Sequence, residues 1–381
     1  MTAVTTVLST QAASAAPAPI KVGVICSCTG AAGEAETLVT NSYLAWVKAT
    51  NASGGIAGHK IDLINENDQT NPGLAVTEAN TLVSDGVVAV EVSSLVQQAF
   101  LSVLATAHVP VVGESFGIPG LPQNTDVFDP TDTLSTSVAT ASQVALIKAA
   151  GVTKVAALYE AQTGSTNESA LEAAINASGA KVVYSVSTSL TQTNYESECL
   201  AAQQAGATGL IAGTGTPANI EATASSCSLQ GYHPAYFAGT EDWGPFPALA
   251  KNTWMSGETV PYFYTKSPAI KTFTKLMNKY YPGTFSNATF DPGNSLGIYA
   301  GGLLLEAALN AGGLTSGKPA TAALVLKGLY ALKGDTLGGL APPLTFKKGT
   351  DHAVNCWYES RWLNGKPVLV NGGKAVCTSG S

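Results

Sequence analysis

The chain has 381 residues, 45% of them hydrophobic and only 12% charged, with a formal net charge of −7. That is too long for one compact domain and suits two lobes of roughly 100–200 residues each. No run approaches the ~20 consecutive apolar residues of a membrane-spanning helix, so a soluble chain is expected. The acidic balance, without any cluster of Lys or Arg, excludes a nucleic-acid-binding face. Charge is about half the ~25% of an average globular protein, which leaves Ser, Thr, Asn and Gln to solvate the surface and points to a periplasmic or extracellular setting.

Residues 1–19 carry no charge, and Ala13-Ser14-Ala15 is similar to the small-residue cleavage site of a secretory signal. The segment reads either as a leader remnant or as a disordered tail. From Ile20 the chain alternates short apolar runs with amphipathic segments. IKVGVIC (20–26) reads as a strand, followed by a helix over 34–51. KIDLINE (60–66) is the next strand, and a helix over 72–84 takes Asn71 as its N-cap. VVAVEV (87–92), a helix over 95–107 and VPVVG (109–113) complete the first series, and a turn-rich stretch follows over 117–132. The rhythm restarts with a helix over 134–150, strand 154–159, helix 166–178, strand 181–186 and helix 194–206. Strand 208–213, helix 217–230 and strand 235–239 follow. Strands separated by helices at this spacing predict βαβ units, hence two doubly wound parallel sheets in series.

The last third changes character. Helices are expected over 267–281, 294–311 and 319–331. After GGLAPP (338–343) come LTF (344–346) and then NCWYESRWL and KPVLV around Asn364-Gly365, a type I′ hairpin signal. This hairpin is expected to edge one of the earlier sheets.

The chemistry-bearing motifs are sparse. Gly113-Glu114-Ser115-Phe116-Gly117 matches a nucleophile elbow, but Pro119 and Pro122 forbid the helix that must follow the serine. The stretch 312–318 matches the start of a P-loop, with Pro319 where a Mg²⁺-binding hydroxyl is needed. Gly213-Thr214-Gly215-Thr216-Pro217-Ala218, with Glu241 after the next strand, has the layout of a dinucleotide fingerprint, so an NAD(P)-dependent enzyme stands as one alternative. A tight strand-to-helix turn touching a small ligand is the other reading of it. The four histidines have no partner at metal-ligand spacing, and neither a metal nor a cofactor is expected. Cys199 and Cys227 fall on consecutive helices placed side by side by right-handed crossovers, so a bridge between them is expected. Cys356 and Cys377 form a second expected bridge, and Cys26-Ser27-Cys28 is either a pair of loop thiols or a local bridge.

Ligands of open parallel sheets bind beyond the C-terminal strand ends. The loops there, 27–33, 93–94, 114–117, 160–165, 214–216 and 240–243, are rich in Ser, Thr and Gly and contain no Lys or Arg. They offer a binding cleft rather than a nucleophile–base pair.

Asn51-Ala52-Ser53-Gly54-Gly55-Ile56-Ala57-Gly58-His59-Lys60-Ile61-Asp62-Leu63, followed by Asn67-Asp68-Gln69-Thr70-Asn71-Pro72, resembles a signature of type I periplasmic binding proteins. The nearest group is the branched-chain amino acid-binding proteins of ABC transporters, also known as extracellular ligand-binding receptors. The resemblance continues through Val92-Ser93-Ser94, His108-Val109-Pro110, Phe237-Ala238-Gly239-Thr240-Glu241 and Pro343-Leu344-Thr345-Phe346. It implies two lobes, 20–128 with 264–340 and 129–263 with 341–381, joined by crossovers near 128–131, 261–264 and 340–343 and closing on a solute. By the same resemblance, Ser93 and Ser94 with the loop 114–117, including Ser115, Phe116 and Gly117, hold a ligand carboxylate in the first lobe, and Thr29 is a further expected ligand contact there. Thr163, Thr214, Glu241 and Trp243 close from the second, with Glu241 taking an amino group. Phe116-Gly117, Gln162-Thr163 and Glu91-Val92 depart from the family pattern, and Phe116 and Trp243 suit a larger or aromatic solute. The implied function is delivery of a small carboxylate-bearing solute to a membrane permease by a monomer that is not an enzyme. A ligand-sensing receptor domain of the same fold is the alternative.

Overall fold

Six of the seven residues of IKVGVIC are buried, as a strand covered on both faces requires, and they form β1 (Ile20–Cys26). The computed structural model describes residues 16–30, 33–114, 126–131, 136–161, 168–189, 191–213, 217–239, 252–287, 289–350, 352–363 and 365–378. β1 pairs in parallel with β2 (Ile61–Asn67) and β3 (Val90–Ser93). With β4 (Val111–Glu114) and β5 (Val127–Phe128) they make a five-stranded parallel sheet in the order β2-β1-β3-β4-β5. The crossovers carry α1 (Gly33–Ala52), α2 (Pro72–Asp85) and the short α3 (Leu101–Thr106). α2 begins and ends as its sequence dictates. Asn71 accepts from the N–H groups of Gly73 and Leu74, Pro72 opens the first turn, and Gly86 at φ 74° closes the last one. The helix expected over 95–107 is broken, with a 3₁₀ turn at Gln97–Ala99 preceding α3.

The second sheet follows α4 (Thr136–Ala149) and runs β6 (Lys154–Glu160), α5 (Glu168–Ala177), β7 (Lys181–Thr188), α6 (Glu196–Gln204), β8 (Gly209–Gly213), α7 (Pro217–Leu229), β9 (Ala235–Gly239). β10 (Asn252–Gly257), a strand the sequence did not announce, adds in parallel to β9. The chain then leaves for α8 (Pro268–Tyr280), α9 (Pro292–Gly312) and α10 (Ala322–Leu329). α8 and α9 lie on α1, and α9 also packs on β4, so these helices cover the first sheet. The chain finally returns as β11 (Cys356–Leu363), antiparallel to β10, with β12 (Lys366–Leu369) at the edge and β13 (Val376–Cys377) also on β11. The hairpin therefore edges the second sheet, as expected. LTF (344–346) does not form a strand: Leu344 makes a single bridge to Asp335, and Phe346 packs edge-on against Phe128 with ring centroids 5.3 Å apart.

Each sheet is sandwiched between two cores. Tyr43, Trp46, Phe128, Phe273 and Leu304 fill one side of the first sheet, and Leu82, Phe100 and Leu104 fill the other. The second sheet is packed by Tyr195, Ile220 and Met255 on one side and by Leu146, Ile175 and Phe237 on the other. Three disulfides reinforce this frame. Cys199–Cys227 ties α6 to α7, Cys356–Cys377 ties β11 to β13, and Cys26–Cys28 closes a local ring just beyond β1, which settles the open reading of that pair.

Candidate functional site

The chain crosses between the sheets after β5, after β10 and before β11. The C-terminal ends of β1, β2, β3 and β4 are the ligand-binding end of the first sheet by the rule for open parallel sheets. Hydrogen bonds extend the ladders past the strand ends and fix the loops there. The Ser27 N–H donates to the Ser93 carbonyl at 2.9 Å, and the Asp68 N–H donates to the Cys26 carbonyl at 3.0 Å. Ser27, Ser93, Ser94 and Asp68 are all fully buried by this arrangement.

Of the expected ligand residues, Thr29, Ser93 and Ser94 are brought to one rim. Their hydroxyls are engaged within the lobe. Ser93 Oγ donates to Glu36 Oε2 at 2.9 Å, Ser94 Oγ donates to Asp68 Oδ2, and Thr29 Oγ1 donates to Asn67 Oδ1 at 3.4 Å. Ser27 Oγ supplies the second bond to Asp68, at 2.8 Å to Oδ1. Ser115, Phe116, Gly117, Thr163, Thr214, Glu241 and Trp243 lie outside the described residues, as do residues 214–216 of the fingerprint-like turn.

The residues that organise the rim, Ser27, Glu36, Asn67 and Asp68, were not singled out from the sequence. A signal for Glu36 exists: it falls in register with Val39, Thr40 and Tyr43 on the buried face of α1, where a carboxylate is out of place. Burial drives the Glu36 carboxyl up to about 7; the hydrogen bond from Ser93 opposes this and Asp68 adds to it. Glu78 of α2 is likewise pushed up to about 7 by burial, then by Glu66 and Asp68. A third buried acid, Glu91 of β3, sits between β4 and α9. A Cβ on Gly113, itself at a φ of 97° that disfavours side chains, would lie 2.1 Å from Glu91 Oε2, and one on Gly301 2.3 Å from it, so the carboxylate occupies the space beside both glycines. Burial, and then Glu91, also raise the Tyr43 phenol well above its usual range.

At the second sheet the described strand ends are held by Thr188, whose hydroxyl donates to the Tyr159 carbonyl at 3.0 Å. Among the described residues no three His, Cys, Asp or Glu side chains converge on a possible metal position. Nor, among them, is any helix long and apolar enough to cross a membrane. The site as described is thus a polar, acid-lined rim on a rigid sheet end.

Comparison with solved structures gives the same two-sheet fold at low sequence identity. A fatty acid ABC transporter substrate-binding protein from Thermomonospora curvata matches with a TM-score of 0.72 and 18% identity, covering 95% of this chain and 93% of that one. The branched-chain amino acid transporter substrate-binding protein LivJ from Streptococcus pneumoniae, solved with isoleucine, matches at 0.69 and 16%, covering 94% and 100%. A substrate-binding periplasmic protein from Ralstonia solanacearum matches at 0.68 and 17%, covering 94% and 100%. A search of curated proteins returned no match. The model of the periplasmic binding protein family matches residues 19–367, nearly the whole length. The chain belongs to the periplasmic binding protein family.

Proposed function

We propose that this chain is the extracytoplasmic solute-binding component of an ABC importer. Its lobes, 20–128 with 264–340 and 129–263 with 341–381, close over a small carboxylate-bearing solute, an amino acid or a relative. The monomer then presents the solute to a membrane permease, acting by binding and release without chemistry on the cargo. The observation that carries this reading is the family match over residues 19–367 on two mainly parallel sheets joined by three crossovers. Two of the similar structures are transporter substrate-binding proteins, one for fatty acids and one for branched-chain amino acids, which supports the transport role and leaves the choice of solute to this chain's own rim.

Thermal unfolding against amino acids, aromatic acids, fatty acids, sugars and NAD(P) tests it. A solute at a thousand times its dissociation constant adds about 4 kcal/mol to stability, a shift of several degrees. Stabilisation by one class of small solute is the expected result. Stabilisation by NAD(P) alone would overturn the reading in favour of an enzyme.

A further inference from the structure

The stretch 51–63 holds a histidine that takes no part in the rim. His59 closes a two-residue turn just before β2. The Ile56 N–H donates to the His59 carbonyl and the His59 N–H to the Ile56 carbonyl, both at 2.9 Å. Ala57 and Gly58 between them stand at φ 51° and 88°, the pair of positive angles that a type I′ turn requires. A Cβ on Gly55 would lie 1.9 Å from the His59 carbonyl oxygen, so the turn is also pressed against the chain that leads into it. The imidazole is thereby held in position, and the residue is 1% exposed.

Both ring nitrogens meet carbonyl oxygens. Nδ1 lies 2.6 Å from the Ala18 oxygen and Nε2 lies 3.0 Å from the Thr315 oxygen. A carbonyl only accepts, and a neutral imidazole carries one N–H, so it serves one of the two. Its other nitrogen then turns a lone pair on an oxygen at hydrogen-bond distance. The imidazolium, with a hydrogen on each nitrogen, satisfies both contacts at once.

The two carbonyls are held unequally. Thr315 lies in the turn between α9 and α10, where its oxygen also accepts the Lys318 N–H at 3.0 Å. Ala18 lies in Ala16-Pro17-Ala18-Pro19, the largely exposed stretch leading into β1, whose two prolines have no N–H to give. Among the described residues, the contact with His59 is the one hydrogen bond that this stretch makes. Loss of a ring proton therefore falls on residues 16–19, which can move off into water while the turn stays bonded. The charged side chains on the segments around the ring are Lys60, whose ammonium donates to the Asn51 carbonyl, and the exposed Lys318. Further out, Lys21 donates to the Asp85 carbonyl and Asp62 is exposed. Residues 16–20, 50–61 and 312–320 include no Asp or Glu, so no acid within these segments competes for the ring's hydrogens.

We propose that His59 is a pH-operated clasp on the segment that joins residues 1–15 to the first lobe. Protonated, it locks residues 16–19 at the start of β1, the end of the sheet opposite the rim at Ser27 and Ser93. Deprotonated, it lets them go. Histidine changes charge between about pH 5 and 8, so the connection is held in mild acid and released in mild alkali. What the clasp governs is the direction in which the chain leaves the lobe, and the rim is untouched by it.

Nuclear magnetic resonance on the whole chain, with ¹⁵N-histidine and ¹³C-alanine, tests this. His59 is expected to carry two ring N–H groups at pH 5 and one at pH 8. The Ala18 Cα–H order parameter is expected to fall from about 0.85 to below about 0.6 with the same midpoint. His59→Gln cannot ionise, and should leave the mobility of Ala18 the same at pH 5 and pH 8. A single ring N–H on His59 at pH 5 overturns the proposal, as does an Ala18 that stays rigid while the ring titrates. A pH-dependent Ala18 in the variant also overturns it. Should the variant not fold, the parent decides alone: ring and Ala18 midpoints that fail to coincide refute the clasp.

Discussion

Replacing Glu36 by Gln offers a direct test of the buried acids beneath the rim. Burial pushes the folded-state carboxyl up to about 7, against about 4.5 in the unfolded chain. Between those values the native state holds a proton that the unfolded state has released, so stability is fully present below 4.5 and falls as pH rises toward 7. At 1.36 kcal/mol per unit the loss amounts to about 3 kcal/mol, complete above pH 7. Gln keeps an acceptor for the Ser93 hydroxyl, now 2.9 Å from Oε2, and never ionises. Glu36→Gln should therefore match the parent near pH 4.5 and exceed its stability by about 3 kcal/mol at pH 8. Urea denaturation followed by tryptophan fluorescence at pH 5, 6, 7 and 8 measures the difference. Glu78, present in both proteins, cancels from it. A difference that is flat in pH would refute the reasoning. So would a less stable variant at pH 8, which would mean that the ionised carboxylate is well served where it sits.

Three further outcomes are expected. Gly328→Ala places a Cβ 1.7 Å from the Ala308 carbonyl oxygen, at the close approach of α10 to α9. Helix propensity alone would gain ~1 kcal/mol, but overpacking of about 1–3 kcal/mol or more should dominate and lower the thermal midpoint; a rise would show that the helices separate freely. Replacing Cys199 and Cys227 together by Ser opens a link between residues 28 apart in sequence and should remove about 3–4 kcal/mol from oxidised protein but nothing from reduced protein. Asn71→Ala strips the acceptor for the Gly73 and Leu74 N–H groups and should cost about 1 kcal/mol, seen as faster hydrogen exchange in the first turn of α2.

The parallel sheets were legible in the sequence because buried strands such as IKVGVIC and TGLIAG are continuous apolar runs framed by amphipathic helices. β10 was not, since NTWMSG has only Trp254 and Met255 as large apolar residues and draws its strand character from pairing with β9 and β11. The Cys199–Cys227 link followed from the handedness of crossovers, whereas Cys26–Cys28 depends on how one loop bends after β1. Ser93 and Ser94 were correctly placed at a strand end, but their spacing says nothing about hydroxyl direction. That direction is set by Glu36 and Asp68, residues 57 and 26 positions away in the chain.

These features bear on how the two lobes share the work of binding. The first-lobe rim is fixed before any solute arrives, by the Cys26–Cys28 ring, the extended ladders and the bonds converging on Asp68. A half-site fixed in this way loses little conformational entropy on binding. In the proposed function, closure falls to the crossovers, which are bonded to one another and to their surroundings. The Val260 N–H donates to the Leu340 carbonyl at 2.9 Å, joining two of them side by side. In the third, Thr131 folds its N–H and hydroxyl onto Asp129 Oδ1 at 2.8 and 2.6 Å. Phe128 just before it stacks on His352 with ring centroids 4.1 Å apart. Short segments bonded to one another permit rotation about one axis and resist the rest. Under the proposed solute-binding function, a solute meets a first-lobe rim whose internal bonds are already made, and movement about these bonded crossovers then retains it.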